Sequence, residues 1–457
     1  MKKNIQFTII LIFFLGLISG CKKILEEKSD ERLSVPTTLE DFQALLNQAG
    51  YMNTNFIAAG EASSDDYYLN EADFNALYYE SEKRQYTWQP SYVTRPLSDV
   101  GDEWYQTYTP IYISNSVLKG LKDNHLIGPK ADNIKGQALV FRAARYLDGV
   151  QIWSLAYNKQ TANTDLGMVL RVDPDITTPS VRSSVQQTYD LIIKDLTEAI
   201  PLLPATQISV TLPSKDAAYG LLARTYLFMG DYEKALQNAE AALANTNVRV
   251  LDFNTLDPNA DFPIPAVKQI SQETIFWTPL YYASHLSQEV SKITPELYDL
   301  YDEKDLRKTI YFGRNSDNSY FFKGNHLGGP GLMSSLTPAE LLLIVAECSA
   351  RSGQLPKAAN ALNTLAVKRW KTGGFTSYVF SDNTVALRTI LEERRRELAF
   401  RGLRWADIRR LNREGYNITL TRTVNGQTYL LPPNDLRYAI AIPETIIELS
   451  GIKQNPR

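Results

Sequence analysis

Apolar residues recur at helical spacing over most of this chain, and the pattern predicts helices at roughly 38–49, 103–121, 132–156, 184–202, 214–229, 232–245, 337–352, 355–370, 384–400 and 402–412. Local start signals agree. Thr337-Pro338-Ala339-Glu340 reads as an N-cap threonine, a first-turn proline and a capping-box glutamate, and Ser214 after Pro213 reads as a cap. Three long stretches, 50–100, 246–335 and 413–443, lack helical period and are rich in Tyr, Trp, Gly, Pro and Asn. Short β-like pieces occur within them, such as Thr274-Ile275-Phe276-Trp277 and Ile418-Thr419-Leu420. Segments of that length inside a compact body are usually functional loops, and their aromatic content argues against disorder.

An internal repeat sharpens the fold class. Ala223, Gly230, Lys234 and Ala235 recur at one constant offset as Ala346, Gly353, Lys357 and Ala358. In both copies a helix ends at the glycine and another starts at once, with alanines that let two antiparallel helices approach closely. The expectation is a mainly all-α protein in which tetratricopeptide-like helix pairs form a right-handed superhelical scaffold, with long irregular loops and a few short β-strands.

The N-terminus changes the picture of where the chain works. Lys2 and Lys3 precede an apolar run from Phe7 to Ile18, and Ser19-Gly20 supply small residues before Cys21. The run is shorter than the ~20 residues that cross a bilayer and is followed by charge, which favours an export signal over 1–20 rather than a membrane anchor. Ile18-Ser19-Gly20-Cys21 resembles a bacterial lipobox, which implies acylation (palmitate-type lipidation) of Cys21, a lipid-anchored tether over 21–36 and a body over 37–457. The other cysteine, Cys348, lies in an apolar helical stretch, so the two form neither a zinc set nor a disulfide framework.

Across 457 residues, 44% are hydrophobic and the net charge is −3, so no global field recruits nucleic acid. The 26 tyrosines outnumber the 17 phenylalanines. A phenol joins an apolar face to a polar tip and suits a half-wet recognition surface.

No HExxH, G-x-S-x-G or P-loop occurs, and the adjacent Asp65-Asp66 pair does not meet the geometry that glycoside cleavage asks of two carboxylates. Catalysis, cofactor and metal are therefore not expected. Binding is. Asp65, Asp66, Tyr67, Tyr68, Tyr78 and Tyr79 share one loop-rich segment with Tyr86, Trp88 and Tyr92; Trp277, Tyr281 and Tyr282 form a second cluster and Tyr320, Phe321 and Phe322 a third. Flat rings beside carboxylates and arginines are what a sugar's C–H faces and hydroxyl rim require. In the doublets, such as Tyr67-Tyr68 and Tyr281-Tyr282, one ring is expected in the core and its neighbour facing out. The block from Glu392 to Arg404 offers Arg388–Glu392, Glu392–Arg396 and Glu397–Arg401 pairs beside an apolar stripe, and reads as a salt-bridge network holding the fold rather than a ligand site.

ILEERRRELAFRGLRWADIRRLNR and IPETIIELSGIKQNP resemble the C-terminal signature of the SusD/RagB family of Bacteroidota lipoproteins. WYQTYTPIYISNSVL, GQALVFRAARYLDGVQIW and YDLIIKDLTEAIPLLP support the likeness along the chain, with an N-terminal SusD-like part at about 37–245 and a C-terminal RagB/SusD part at about 270–457. Arg401 stands where that signature usually carries an acid. The resemblance implies a lipid-anchored outer-membrane protein facing the exterior that binds nutrient glycan and delivers it to a SusC-like TonB-dependent transporter. Peptide binding, or gating of the transporter without a sugar site, are the other roles it allows.

Overall fold

The computed structural model describes residues 35–91, 102–264, 272–324 and 326–457. The expectations placed on Cys21 and Tyr92, and on the segments before residue 35, lie outside the described residues. Ten helices carry the scaffold: α1 (Leu39–Leu46), α2 (Asp102–Asp123), α3 (Pro129–Trp153), α4 (Val185–Ala199), α5 (Lys215–Met229), α6 (Tyr232–Asn245), α7 (Pro338–Arg351), α8 (Leu355–Ala366), α9 (Asn383–Glu397) and α10 (Arg404–Arg413). Consecutive helices pack as hairpins, α2 with α3, α3 with α4, α5 with α6 and α7 with α8, and α6 lies against α7 to join the two repeat copies. No helix among the described residues is long and apolar enough to cross a membrane.

Caps explain most helix ends. Thr38 and Ser184 form full capping boxes, and Ser214 accepts from the amide of Ala217. Gly230 and Gly353 close the first helix of each repeat in the left-handed region, at φ 76° and 74°. Gly230→Ala should therefore lower stability by roughly 1–2 kcal/mol, seen as a lower urea midpoint at unchanged slope.

The expected capping box at Glu340 does not form. Thr337 does cap the amide of Glu340, but the Glu340 carboxylate turns inward to Arg224, at 2.7 and 2.6 Å, because a buried guanidinium on α5 competes for it. The helix expected over 384–400 stops at Glu397: Phe400 and Gly402 adopt positive φ of 57° and 68°, and the chain turns before α10. That turn carries Arg401 off the helix, so Glu397–Arg401 cannot pair at i,i+4. The other two expected pairs, Arg388–Glu392 and Glu392–Arg396, are also not the ones formed among the described residues.

The network that does form is buried and long-range. Glu397 accepts from Arg307 (2.9 Å) and Arg369 (2.7 Å), Glu393 pairs with Arg307 (2.7 Å) and Arg396 (2.6 Å), and Arg369 also reaches Glu273 (3.0 Å). On the next helix Asp407 joins Arg394 to Arg410, which continues to Glu347 on α7. The block thus ties α7, α9 and α10 to loops from the middle of the chain. Arg401 is buried too, donating to the carbonyl of Ser335.

The stretches read as irregular contain short helices and paired strands, and one further ribbon lies in the connection between α3 and α4. Strands β1 (Tyr67–Tyr68), β2 (Leu166–Val169), β3 (Arg182–Ser184), β4 (Lys292–Ile293), β5 (Phe312–Arg314), β6 (Tyr320–Phe322), β7 (Leu420–Val424) and β8 (Gln427–Leu431) make four two-stranded antiparallel ribbons, β1 with β4, β2 with β3, β5 with β6 and β7 with β8. Of the β-like pieces, Leu420 opens β7, whereas Phe276 makes only an isolated bridge to Leu336.

Candidate ligand-binding site

Strand β7 of the β7–β8 hairpin builds one wall of a cleft of about 350 Å³. Thr421, Arg422 and Thr423 alternate across β7, so the threonines face out while Arg422 is driven beneath the strand. There its guanidinium sits 3.9 Å from the ring centre of Tyr86, 4.8 Å from Trp88 and 4.9 Å from Tyr67. It donates to the carbonyls of Ser64, Ala62 and Tyr86. The rings are held as well: Tyr67 donates to Ala62 O (2.6 Å), Trp88 to Ser63 O (3.0 Å), and the Tyr86 hydroxyl accepts from the Leu69 amide (2.8 Å).

This caged arginine decides which aromatics remain open to a ligand. Tyr67 and Trp88 border the same cleft but are only 1% and 4% exposed, with the Arg422 guanidinium over their rings. Tyr68, one position along β1, is 36% exposed and lines the cleft. Strand alternation therefore turns one ring of the Tyr67-Tyr68 doublet in and the other out.

Asp65 and Asp66 are brought to the same place but are committed to the C-terminal helices. Asp65 takes a two-pronged pair from Arg404 at 2.7 and 2.9 Å, and Asp66 accepts from Arg395 at 2.8 Å. Burial alone would raise the Asp65 carboxyl, but Arg404 and then Arg395 more than offset it and hold it below the usual carboxylate range. Asp65 is a standing anion that accepts hydrogen bonds and is unsuited to donating a proton. For Asp66 burial prevails and its carboxyl titrates higher than usual despite Arg395. Glu61, below them, is pushed up to about 8 by burial, with the Asp66 charge adding to it.

The opposite wall comes from the β4 region: Thr294 and the exposed Glu296 open the short helix Pro295–Tyr298. Tyr298 at its end stacks on Tyr320 with ring centres 3.7 Å apart, and Lys308 lies over it at 4.9 Å. Tyr320 is thus tied to the element that carries Glu296. The remaining candidates are elsewhere or outside the cleft lining. Tyr78 is exposed and meets Tyr79 edge-on at 4.8 Å; Trp277 bonds through its amide to Val210; Tyr281 bonds to Phe56 through its amide, and Tyr282 is exposed beside it.

Sequence reasoning missed Glu296, Arg395 and the threonine row. Polar–apolar alternation in Thr419 to Val424, followed by Asn425-Gly426 with φ of 52° and 72°, is a strong hairpin signal and could have located that wall.

Residues 23–227 match a family described as starch-binding and associating with the outer membrane, and residues 338–445 match the SusD family. This chain belongs to the SusD family. Its relatives include SusD-like protein P2 of Formosa agariphila, 28% identical over 67% of this chain and 71% of that one. Among solved structures, a SusD superfamily protein of Bacteroides thetaiotaomicron VPI-5482 superposes with TM-score 0.71 and 21% identity, covering 92% of this chain and 100% of that one. A SusD-like carbohydrate binding protein of Bacteroides vulgatus ATCC 8482 gives 0.68 and 20%, covering 91% and 97%. In this SusD-family chain the cleft draws on both matched regions and on the stretch between them: Asp65 and Tyr68 come from the first, Arg395 and the β7 threonines from the second, Thr294 and Glu296 from neither.

Proposed function

We propose that this protein captures a nutrient oligosaccharide in the cleft beside Tyr68 and hands it to a SusC-like TonB-dependent transporter. The observation that carries the reading is the cleft itself: an exposed phenol ring, a standing carboxylate at Asp65, an exposed Glu296 and a row of hydroxyls, in a chain of a family described as starch-binding. The tyrosine supplies an apolar face for a pyranose ring, and the carboxylates and threonines bond its hydroxyls. In this reading residues 1–20 are an export signal, Cys21 carries the lipid, and the tether over 21–36 holds the body at the outer face of the membrane. The cleft holds its ligand without cleaving it.

A shallow polar cleft leaves much of an oligosaccharide wet, so affinities in the micromolar to millimolar range are expected. Calorimetry of the chain from Lys22 onward against neutral and charged polysaccharides and peptides, with product analysis, tests the reading. One glycan class should give heat and no products, and Tyr68→Ala should weaken that binding about three- to tenfold with the fold intact. Binding that Tyr68→Ala leaves unchanged would place the glycan elsewhere; heat with peptides alone would replace glycan by peptide.

A further inference from the structure

A second pocket lies away from this cleft, where the loop after α3, the helix α10 and the segment after β8 meet. Its volume is about 230 Å³, and its lining includes Arg409, Arg413, Asn158, Thr161, Asn434 and Tyr438. Arg409 is the anomaly. It is 3% exposed, yet it donates only to the carbonyl of Ser154, and its Nε and Nη1 have no hydrogen-bond partner.

The other buried arginines show how unusual that is. Arg307, Arg369 and Arg410 are met by carboxylates, and Arg422 by three carbonyls. Arg401 is as poorly served as Arg409, but it does not line this pocket, whereas Arg409 does. Burial lowers Arg409 to about 10, so it stays charged at neutral pH. A buried cation without a counter-charge is costly unless something else supplies one.

Arg413 follows one turn later, so both guanidiniums lie on the pocket side of α10, and Arg413 forms no ion pair among the described residues. Two acids also line the pocket, but neither serves Arg409. Asp435 is held by Arg437 through both oxygens, at 2.8 and 2.9 Å, and Asp165 accepts from the Thr161 hydroxyl at 2.6 Å. The side-chain amides of Asn158 and Asn434 complete a polar rim.

We infer that this pocket binds a small organic carboxylate of monosaccharide size, its anionic group placed against the Arg409–Arg413 face of α10. The volume is below the roughly 300–1,000 Å³ of sites for drug-sized ligands, which suits a single sugar acid and not a polymer segment. Planar guanidiniums are the donors best matched to a carboxylate, and the amides and the Thr161 hydroxyl suit the remaining hydroxyls.

The test is calorimetric titration of the chain from Lys22 onward, which keeps every described residue, with sodium glucuronate and with glucose as the neutral counterpart. Glucuronate should bind at least about tenfold more tightly than glucose, and Arg413→Gln should remove most of that preference at unchanged melting temperature. Arg409→Gln should abolish it. Should that variant fail to fold, the exposed Arg413 decides alone. Equal binding of the acid and the neutral sugar, no binding of either, or a preference that Arg413→Gln leaves intact would each overturn the inference.

Discussion

Glu393→Ala should destabilise this protein by about 3–5 kcal/mol, because it strips a fully buried carboxylate from Arg307 and Arg396 and leaves their charges without that partner. The same pair makes the loss depend on pH. Burial by itself would raise the Glu393 carboxyl, but Arg307 and Arg396 more than offset this and hold it at about 2, below its ordinary value of 4.5. A folded value below the unfolded one means that the contribution is whole above the ordinary value and is lost as pH falls through the folded one. Urea denaturation at pH 7 should therefore separate wild type from Glu393→Ala widely, and at pH 3 the gap should narrow. Glu392→Ala, one residue away but exposed, should stay within about 0.5 kcal/mol at both. An equal gap at the two pH values would sink the assignment of the effect to this ion pair.

Arg422→Met should be nearly as severe, at about 2–5 kcal/mol, since the carbonyls of Ser64 and Tyr86 lose their guanidinium donor and three rings lose the cation between them. Its diagnostic effect is on ligand binding. The Ser64–Tyr68 segment is positioned over that cation, so the variant should lose glycan binding under conditions where it is still folded, with a changed Trp88 fluorescence. Arg422→Lys should not rescue it, because one ammonium cannot reach carbonyls on several sides in one plane. Full glycan affinity in a folded Arg422→Met protein would show that the cleft does not depend on the cage.

The helical scaffold was legible because its signals are local. Apolar period and capping residues placed α6 at its observed bounds and the other long helices within a few residues, and the repeated glycine marked both turns. The errors lie where a distant partner overrides local chemistry. Glu340 carries a capping-box spacing, but Arg224, far back in the chain, takes its carboxylate. The arginine-rich block reads as pairs along one helix, yet its acids are claimed by Arg307 and Arg369 from other segments.

The lining of the candidate cleft was half legible for the same reason. Composition located the aromatic segment, and Asp65, Tyr68 and the ring-in, ring-out reading of the doublet stand in the cleft as described. What composition could not say is which rings were taken. Tyr67 and Trp88 look like platform residues until a strand some 340 positions later inserts Arg422 among them, an event that no window of local sequence contains.

The caged arginine also sets an order of events in the life of the chain. Asp65 waits for Arg404, and Tyr67, Tyr86 and Trp88 wait for Arg422, so the residues made first are completed by those made last. Contacts of such sequence separation form slowly and only once both ends are present. A truncated chain that stops before β7 therefore keeps the helical segments but lacks the guanidinium that gathers Tyr67, Tyr86 and Trp88, and with it the finished cleft.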